Sequence, residues 1–203
     1  MKVAVYSGSF NPFHKGHLTV VRYMLEHCGF DKVYLIVSPQ NPFKDSSIAD
    51  SGHERLEAVR EAVGRNGLSS SVLVDDIEFG MPLPSYTVRT LDALQAREPD
   101  KRFTLIVGGD NLNTMLSWHE GERIMTQYGI VVYPREGFNI IRDCRILRLK
   151  HRNAERVFLS DNPDFKHKPL RIKLLTEAPL VDVSSSEIRE MLSRGEDVSS
   201  FLA

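Results

Sequence analysis

Cysteine is scarce: Cys28 and Cys144 are the only two in 203 residues. Two cysteines make neither a disulfide framework nor a metal-ligand spacing. Both are expected to stay thiols in a reducing cytoplasm. Long apolar runs are also missing. The longest, around 33–37, is strand-sized, and none reaches the roughly 18 consecutive apolar residues of a membrane span. No membrane partner is therefore expected. The first residues run straight into a strand pattern, without an apolar leader and small-residue cleavage site. Net charge is nearly absent, since 26 Lys+Arg against 27 Asp+Glu leave −1. No global field attracts nucleic acid, and none is expected as a partner. Repeats, low-complexity tracts and domain-dividing linkers are lacking too.

What is present is ordinary globular material, 41% hydrophobic and 26% charged. That length and composition predict one domain over 1–203 with a single substantial core. Two periodicities alternate along it. Strand patterns fall at 2–7, 32–38, 72–79, 103–107 and 130–133. Helical spacing falls at 18–27, 54–63 and from 85 or 86 through 97, with short helices at 112–118 and 121–127. Residues 39–51, rich in Pro, Asn, Asp and Ser, read as a loop. Strand and helix in alternation predict an α/β fold, a Rossmann-like, doubly wound parallel sheet with helices on both faces. In such sheets ligands sit beyond the carboxyl ends of the strands.

Residues 135–180 read as basic and irregular, with Arg145, Arg148, Lys150, His151 and Arg152, then Lys166, His167 and Lys168. A phosphate-binding surface and a solvated strand-and-loop face both fit; a charge run favours the solvated face. Further short strands are expected at 157–159 and 180–183.

The first strand runs into Ser7-Gly8-Ser9-Phe10-Asn11-Pro12-Phe13-His14-Lys15-Gly16-His17. Glycine, serine and asparagine open a turn where backbone can approach a ligand. His17 then falls at a helix N-terminus, whose N–H groups and dipole favour anions. Two imidazoles there make a cradle for a phosphate chain. A zinc pair would need a third ligand nearby, and none is evident, so no metal site is assigned. The Gly-Lys-Ser/Thr of a phosphate loop and the G-x-G-x-x-G dinucleotide fingerprint are absent. Near the other end stands Val183-Ser184-Ser185-Ser186-Glu187-Ile188-Arg189. Ser184 and Glu187 make a capping box. The same turn offers hydroxyls, N–H groups and the guanidinium fork of Arg189.

This pair of motifs resembles that of the cytidylyltransferase-like nucleotidyltransferases, whose turn ends in His-x-Gly-His and whose second motif is a Ser-Ser-Thr/Ser-x-Ile-Arg. Intermediate segments resemble the bacterial nicotinate-nucleotide adenylyltransferase family in particular. They are Pro39-Gln40-Asn41-Pro42-Phe43-Lys44; Ser85-Tyr86-Thr87 with Thr90-Leu91; Gly108-Gly109-Asp110-Asn111-Leu112 with Trp118; and Tyr133-Pro134-Arg135. The resemblance covers nearly the whole chain in order. Ser7, Asn11, Gly109, Val183 and Ser186 depart from the family pattern by small or isosteric changes, and no charged group expected to act is lost.

The resemblance implies transfer of AMP from ATP to nicotinate mononucleotide, with Mg²⁺ accompanying the ATP. It implies that His14, His17 and Arg189 are catalytic. Gly8, Ser9, Phe10, Lys44, Gly108, Asp110, Ser184, Ser185 and Ser186 would join them in binding ATP. Tyr86, Thr87, Asp110, Trp118 and Arg135 would bind the nicotinate nucleotide. On residue type alone, Asp110 reads equally as a helix N-cap, Trp118 as core, and Lys44 as a solvated lysine. Alternatives are the nicotinamide-nucleotide and phosphopantetheine adenylyltransferases and a regulatory module that has lost catalysis. The oligomeric state stays open in the sequence, a homo-oligomer included.

Overall fold

The structure is a computed structural model; it describes residues 1–39, 52–161, 169–181 and 183–203. Its elements run β1 (Lys2–Gly8), α1 (Lys15–His27), β2 (Lys32–Val37), α2 (Gly52–Arg65), β3 (Val72–Asp75), α3 (Thr87–Arg97), β4 (Arg102–Gly108), α4 (Gly109–Leu112), α5 (Gly121–Arg123), β5 (Ile130–Tyr133), α6 (Ile140–Asp161), β6 (Ile172–Leu174) and α7 (Ser185–Ser193). The strands form a six-stranded sheet in the order β3-β2-β1-β4-β5-β6. The registered pairs are parallel. This is the Rossmann strand order, and the expected fold class is met.

Two compact units divide the chain, Met1–Phe103 with Val181–Ala203, and Thr104–Leu180. In the first, β1 and β2 are in register from Val3 opposite Lys32 to Gly8 opposite Val37. Both strands therefore end together, where Ser38 N donates to Gly8 O at 3.0 Å. Val33 to Val37 are all buried, as a strand covered on both faces requires. α1 turns Leu18, Val21 and Met24 inward, and α2 turns Leu56, Val59 and Val63 inward, at helical spacing. In the second unit, Leu105, Leu112, Met115, Ile124, Met125 and Val132 form the core.

Several sequence expectations need correction. The third strand stops at Asp75, and Ile77–Gly80 is a 3₁₀ turn. Asp75 and Asp76 interrupt the apolar run, and Asp75 Oδ1 accepts from Ile77 N at 3.0 Å where the strand gives way to the turn. The expected helix over 112–118 is α4 followed by a 3₁₀ turn at Met115–Ser117; that over 121–127 is α5 followed by a π-helical turn, Ile124–Tyr128. Residues 140–161, expected as strand and loop, are the 22-residue helix α6, which includes the proposed strand at 157–159. Its buried residues Ile140, Asp143, Cys144, Leu147 and His151 follow helical spacing. Two of them are polar, which hid the stripe. Residues 180, 181 and 183 are not in a strand, and β6 lies instead at Ile172–Leu174. Lys166, His167 and Lys168 lie outside the described residues.

Candidate functional site

The chain leaves β1 at Gly8 and reaches the N-cap of α1 at His14 (φ −134°, ψ 169°). Phe10 holds φ 45°, in the left-handed region that side chains rarely adopt. Packing compensates. Its ring is 3% exposed and meets Tyr6, Phe13 and His17 edge-on at centroid distances of 5.5, 5.6 and 5.1 Å. His17 also stacks on Phe13 at 5.3 Å with 12° between planes. The His14 ring lies 3.7 Å from the His17 ring and is buried. Gly16 permits that approach: a Cβ there would stand 2.2 Å from Val181 Cγ1 and 3.0 Å from the His14 ring.

His14 N–H donates to His17 Nδ1 at 3.2 Å. An accepting Nδ1 carries no proton, so the His17 proton sits on Nε2. The backbone thereby leaves the outer nitrogen of the His17 imidazole as its donor.

The second motif is Ser184 at the N-cap of α7. Glu187 N donates to Ser184 Oγ at 3.2 Å, and Ser184 N donates to Glu187 Oε2 at 2.7 Å. The expected capping box is present, and the Ser184 hydroxyl serves it. Ser185 Oγ donates to Pro12 O at 3.1 Å, and Arg189 donates from Nη1 to Asn11 O at 2.5 Å and from Nη2 to Ser186 Oγ at 2.8 Å. Two motifs more than 170 residues apart are thus joined directly, main chain of one to side chains of the other. A third segment completes the junction: Lys15 N donates to Phe201 O at 2.9 Å, and Leu202 forms an antiparallel bridge with His14.

Tyr86 is the N-cap of α3 and Thr87 its first residue; both are half-buried. The Arg89 guanidinium lies 5.1 Å from the Tyr86 ring. In the second unit, Gly108 caps α4, which corrects the reading of Asp110 as N-cap. Asp110 sits in the first turn of α4, and its Oδ1 is 3.8 Å from Arg135 Nε, an open ion pair. Trp118 is half-buried rather than core, and its Nε1 donates to Thr114 Oγ1 at 3.2 Å. Lys44 lies outside the described residues.

Sequence reading missed two polar groups beside the first motif. Arg55 is buried on α2 and donates to the main-chain oxygens of Ser9, Ser38 and Pro39. Glu78 is 2% exposed and accepts from Ser38 Oγ at 2.7 Å and Thr90 Oγ1 at 2.8 Å. The signal for Arg55 was its place next to Leu56 and four residues before Val59, on the apolar face of the helix. Glu78 had no such signal, because the strand assigned over 72–79 gave it the wrong geometry.

The donors at the junction of the two motifs are imidazole, hydroxyl, guanidinium and helix N–H groups. Such a set fits an anion rather than a bare cation. Among the described residues, no three of His, Cys, Asp and Glu gather as they would around a metal ion. Nor is any described helix long and apolar enough to cross a membrane.

Comparison with known proteins gives a consistent picture. The family model described as cytidylyltransferase-like matches residues 5–191. The chain is 36% identical over 201 residues to a protein of Bacteroides fragilis (strain YCH46) named probable nicotinate-nucleotide adenylyltransferase, across 99% of this chain and 87% of that protein. It is 34% identical to a protein of the same name from Flavobacterium johnsoniae, across 100% of this chain and 92% of that one. In three dimensions it resembles the Plasmodium falciparum nicotinic acid mononucleotide adenylyltransferase complexed with NaAD. The TM-score is 0.71 at 16% identity, over 99% of this chain and 90% of that chain. At that identity the likeness speaks for the fold alone.

Proposed function

Because this chain belongs to the cytidylyltransferase-like family, among its nicotinate-nucleotide adenylyltransferases, we propose that it transfers the adenylyl group of ATP to the phosphate of nicotinate mononucleotide. The products are nicotinate adenine dinucleotide and pyrophosphate, a step of NAD biosynthesis. A phosphate oxygen of the mononucleotide forms a bond to the α-phosphorus. The bond from that phosphorus to the bridging oxygen breaks, and its electron pair leaves with pyrophosphate. The nucleophile is already anionic at neutral pH, so no general base is needed. Positioning and charge stabilisation carry the acceleration.

The observation that supports this most directly is the junction of the two helix N-termini through Ser185, Arg189 and the Asn11–Pro12 main chain. His17 donates from Nε2 toward the phosphate where charge builds up, with His14 beside it. Ser9, the Gly8–Phe10 backbone, Ser184, Ser185 and Ser186 hold the triphosphate. A guanidinium has five N–H donors; Arg189 engages two groups of the protein and keeps donors for the β- and γ-phosphates. Lys44 adds a cation, by the family resemblance. ATP enters as its Mg²⁺ complex, the ion held by phosphate oxygens and water.

For the mononucleotide, Trp118 offers an indole face to the pyridine ring. By the family resemblance Tyr86, Thr87, Asp110 and Arg135 also bind the mononucleotide, with Asp110 accepting from a ribose hydroxyl, while Gly108 and Asp110 serve ATP. The family model runs through both compact units, which supports residues 1–203 as one nucleotidyltransferase domain. ATP as a substrate supports a cytoplasmic setting.

The test is pyrophosphate release from MgATP with nicotinate mononucleotide, beside nicotinamide mononucleotide and phosphopantetheine. The acid is expected to be strongly preferred, since a site pairing its carboxylate leaves groups unpaired with the amide. Turnover with the amide alone would overturn the substrate, and no turnover with any of the three would overturn the reaction.

A further inference from the structure

Arg55 is 9% exposed, a depth at which a cation needs close partners. Its Nη1 donates to Ser9 O at 2.5 Å and to Ser38 O at 2.9 Å, and its Nη2 donates to Pro39 O at 2.9 Å. Three main-chain carbonyls from two loops thus meet one planar cation. Ser9 opens the turn that leads to His14 and His17; Ser38 and Pro39 follow β2. Arginine suits this place because its N–H groups lie in a fixed fork, whereas a lysine ammonium is a single point of donation. Ser38 is already fixed by other bonds. Its N–H donates to Gly8 O at 3.0 Å, and its Oγ donates to the buried Glu78, itself held by Thr90. Arg55 carries that rigidity across to the histidine turn.

We propose that Arg55 is a positioning residue for adenylyl transfer: it fixes the Ser9 main chain, and through Phe10 the two imidazoles, against the end of β2. This inference rests on the reaction proposed above. Arg55 acts through the turn and not on the reacting atoms, so its loss falls on alignment in the transition state. A displacement of about 1 Å costs up to roughly 100-fold in rate. Such a loss appears in kcat rather than in KM.

The experiment compares Arg55→Lys and Arg55→Ala with wild type in steady-state pyrophosphate release, with melting temperatures alongside. Arg55→Lys is expected to lose about tenfold or more in kcat with KM for ATP within about threefold. Arg55→Ala is expected to regain part of its kcat with guanidinium ion at sub-denaturing concentration, and none with sodium chloride at equal ionic strength. A kcat for Arg55→Lys equal to wild type overturns the proposal, as does a loss confined to KM or melting temperature. A second readout needs no turnover. The side-chain ¹⁵N resonances of His17 report its Nε2–H tautomer, and Arg55→Lys is expected to weaken that signature. Should wild type fail to turn over, the reaction is wrong, and an unchanged His17 signature in Arg55→Lys then overturns the positioning role as well.

Discussion

Replacing Gly16 with alanine adds one methyl group between the His14 imidazole and the Val181 side chain. The added Cβ would lie 2.2 Å from Val181 Cγ1 and 3.0 Å from His14 Cε1 and Nδ1. Carbon atoms pack best at about 3.5–4.0 Å, so the valine must retreat by roughly 1.3 Å or more and the ring by a few tenths. Overpacking of this kind costs about 1–3 kcal/mol. Alanine offsets up to about 1 kcal/mol of that through its better helix propensity. The net destabilisation is therefore about 0–3 kcal/mol, a fall in melting temperature of up to roughly 12 °C for a chain of this size. Catalysis should be more sensitive, because His14 N–H sets the His17 tautomer. We expect kcat to fall about 10–100-fold, which is about 1.4–2.7 kcal/mol of transition-state stabilisation. The assay is pyrophosphate release at saturating MgATP and nicotinate mononucleotide, paired with thermal melting. A variant with kcat within twofold of wild type and an unchanged or higher melting temperature would show that Gly16 is not needed for the close approach of Val181 and His14.

Other outcomes follow from the same geometry. Ser184→Ala removes the oxygen that accepts from Glu187 N; it should cost about 1 kcal/mol, lowering the melting temperature by about 2–4 °C, while Ser184→Gly costs less. Burial raises the Tyr34 phenol above its ordinary value, with Arg97 pulling it down and Asp75 pushing it up. The folded state therefore favours the protonated phenol. That stability is fully present below the unfolded value near pH 10 and is lost as pH rises through the higher folded value. Melting curves against pH should show Tyr34→Phe lacking this share of alkaline destabilisation, and equal alkaline slopes would contradict the burial argument. Trp118 is the one tryptophan in the chain, so intrinsic fluorescence should change on titration with nicotinate mononucleotide and not with ribose 5-phosphate. An unchanged signal at saturation would remove Trp118 from the pyridine site.

Much of the sheet was legible because buried strands and amphipathic helices announce themselves by period. β2 is a continuous apolar run, and α1 and α2 repeat at three and four residues. α6 was not legible, because the stripe that Ile140, Cys144 and Leu147 begin is shared with Asp143 and His151 and surrounded by arginines. β6 is three residues long with Lys173 at its centre, too short for its period to register. At the candidate site, both turns could be placed from glycine, serine and capping chemistry. That Arg189 reaches Asn11 and Ser185 reaches Pro12 could not, since the partners are main-chain oxygens and leave no trace in side-chain identity. Arg55 escaped for the same reason: its three acceptors are all backbone.

In the reaction proposed above, the His17 imidazole, set as a donor by His14 N–H, stabilises the transferring phosphate. The most direct test is kcat for His17→Ala with MgATP and nicotinate mononucleotide. Removing a donor aimed at developing charge should cost about 100–1,000-fold in kcat, with KM for ATP little changed. Turnover of His17→Ala within threefold of wild type would exclude that role for His17.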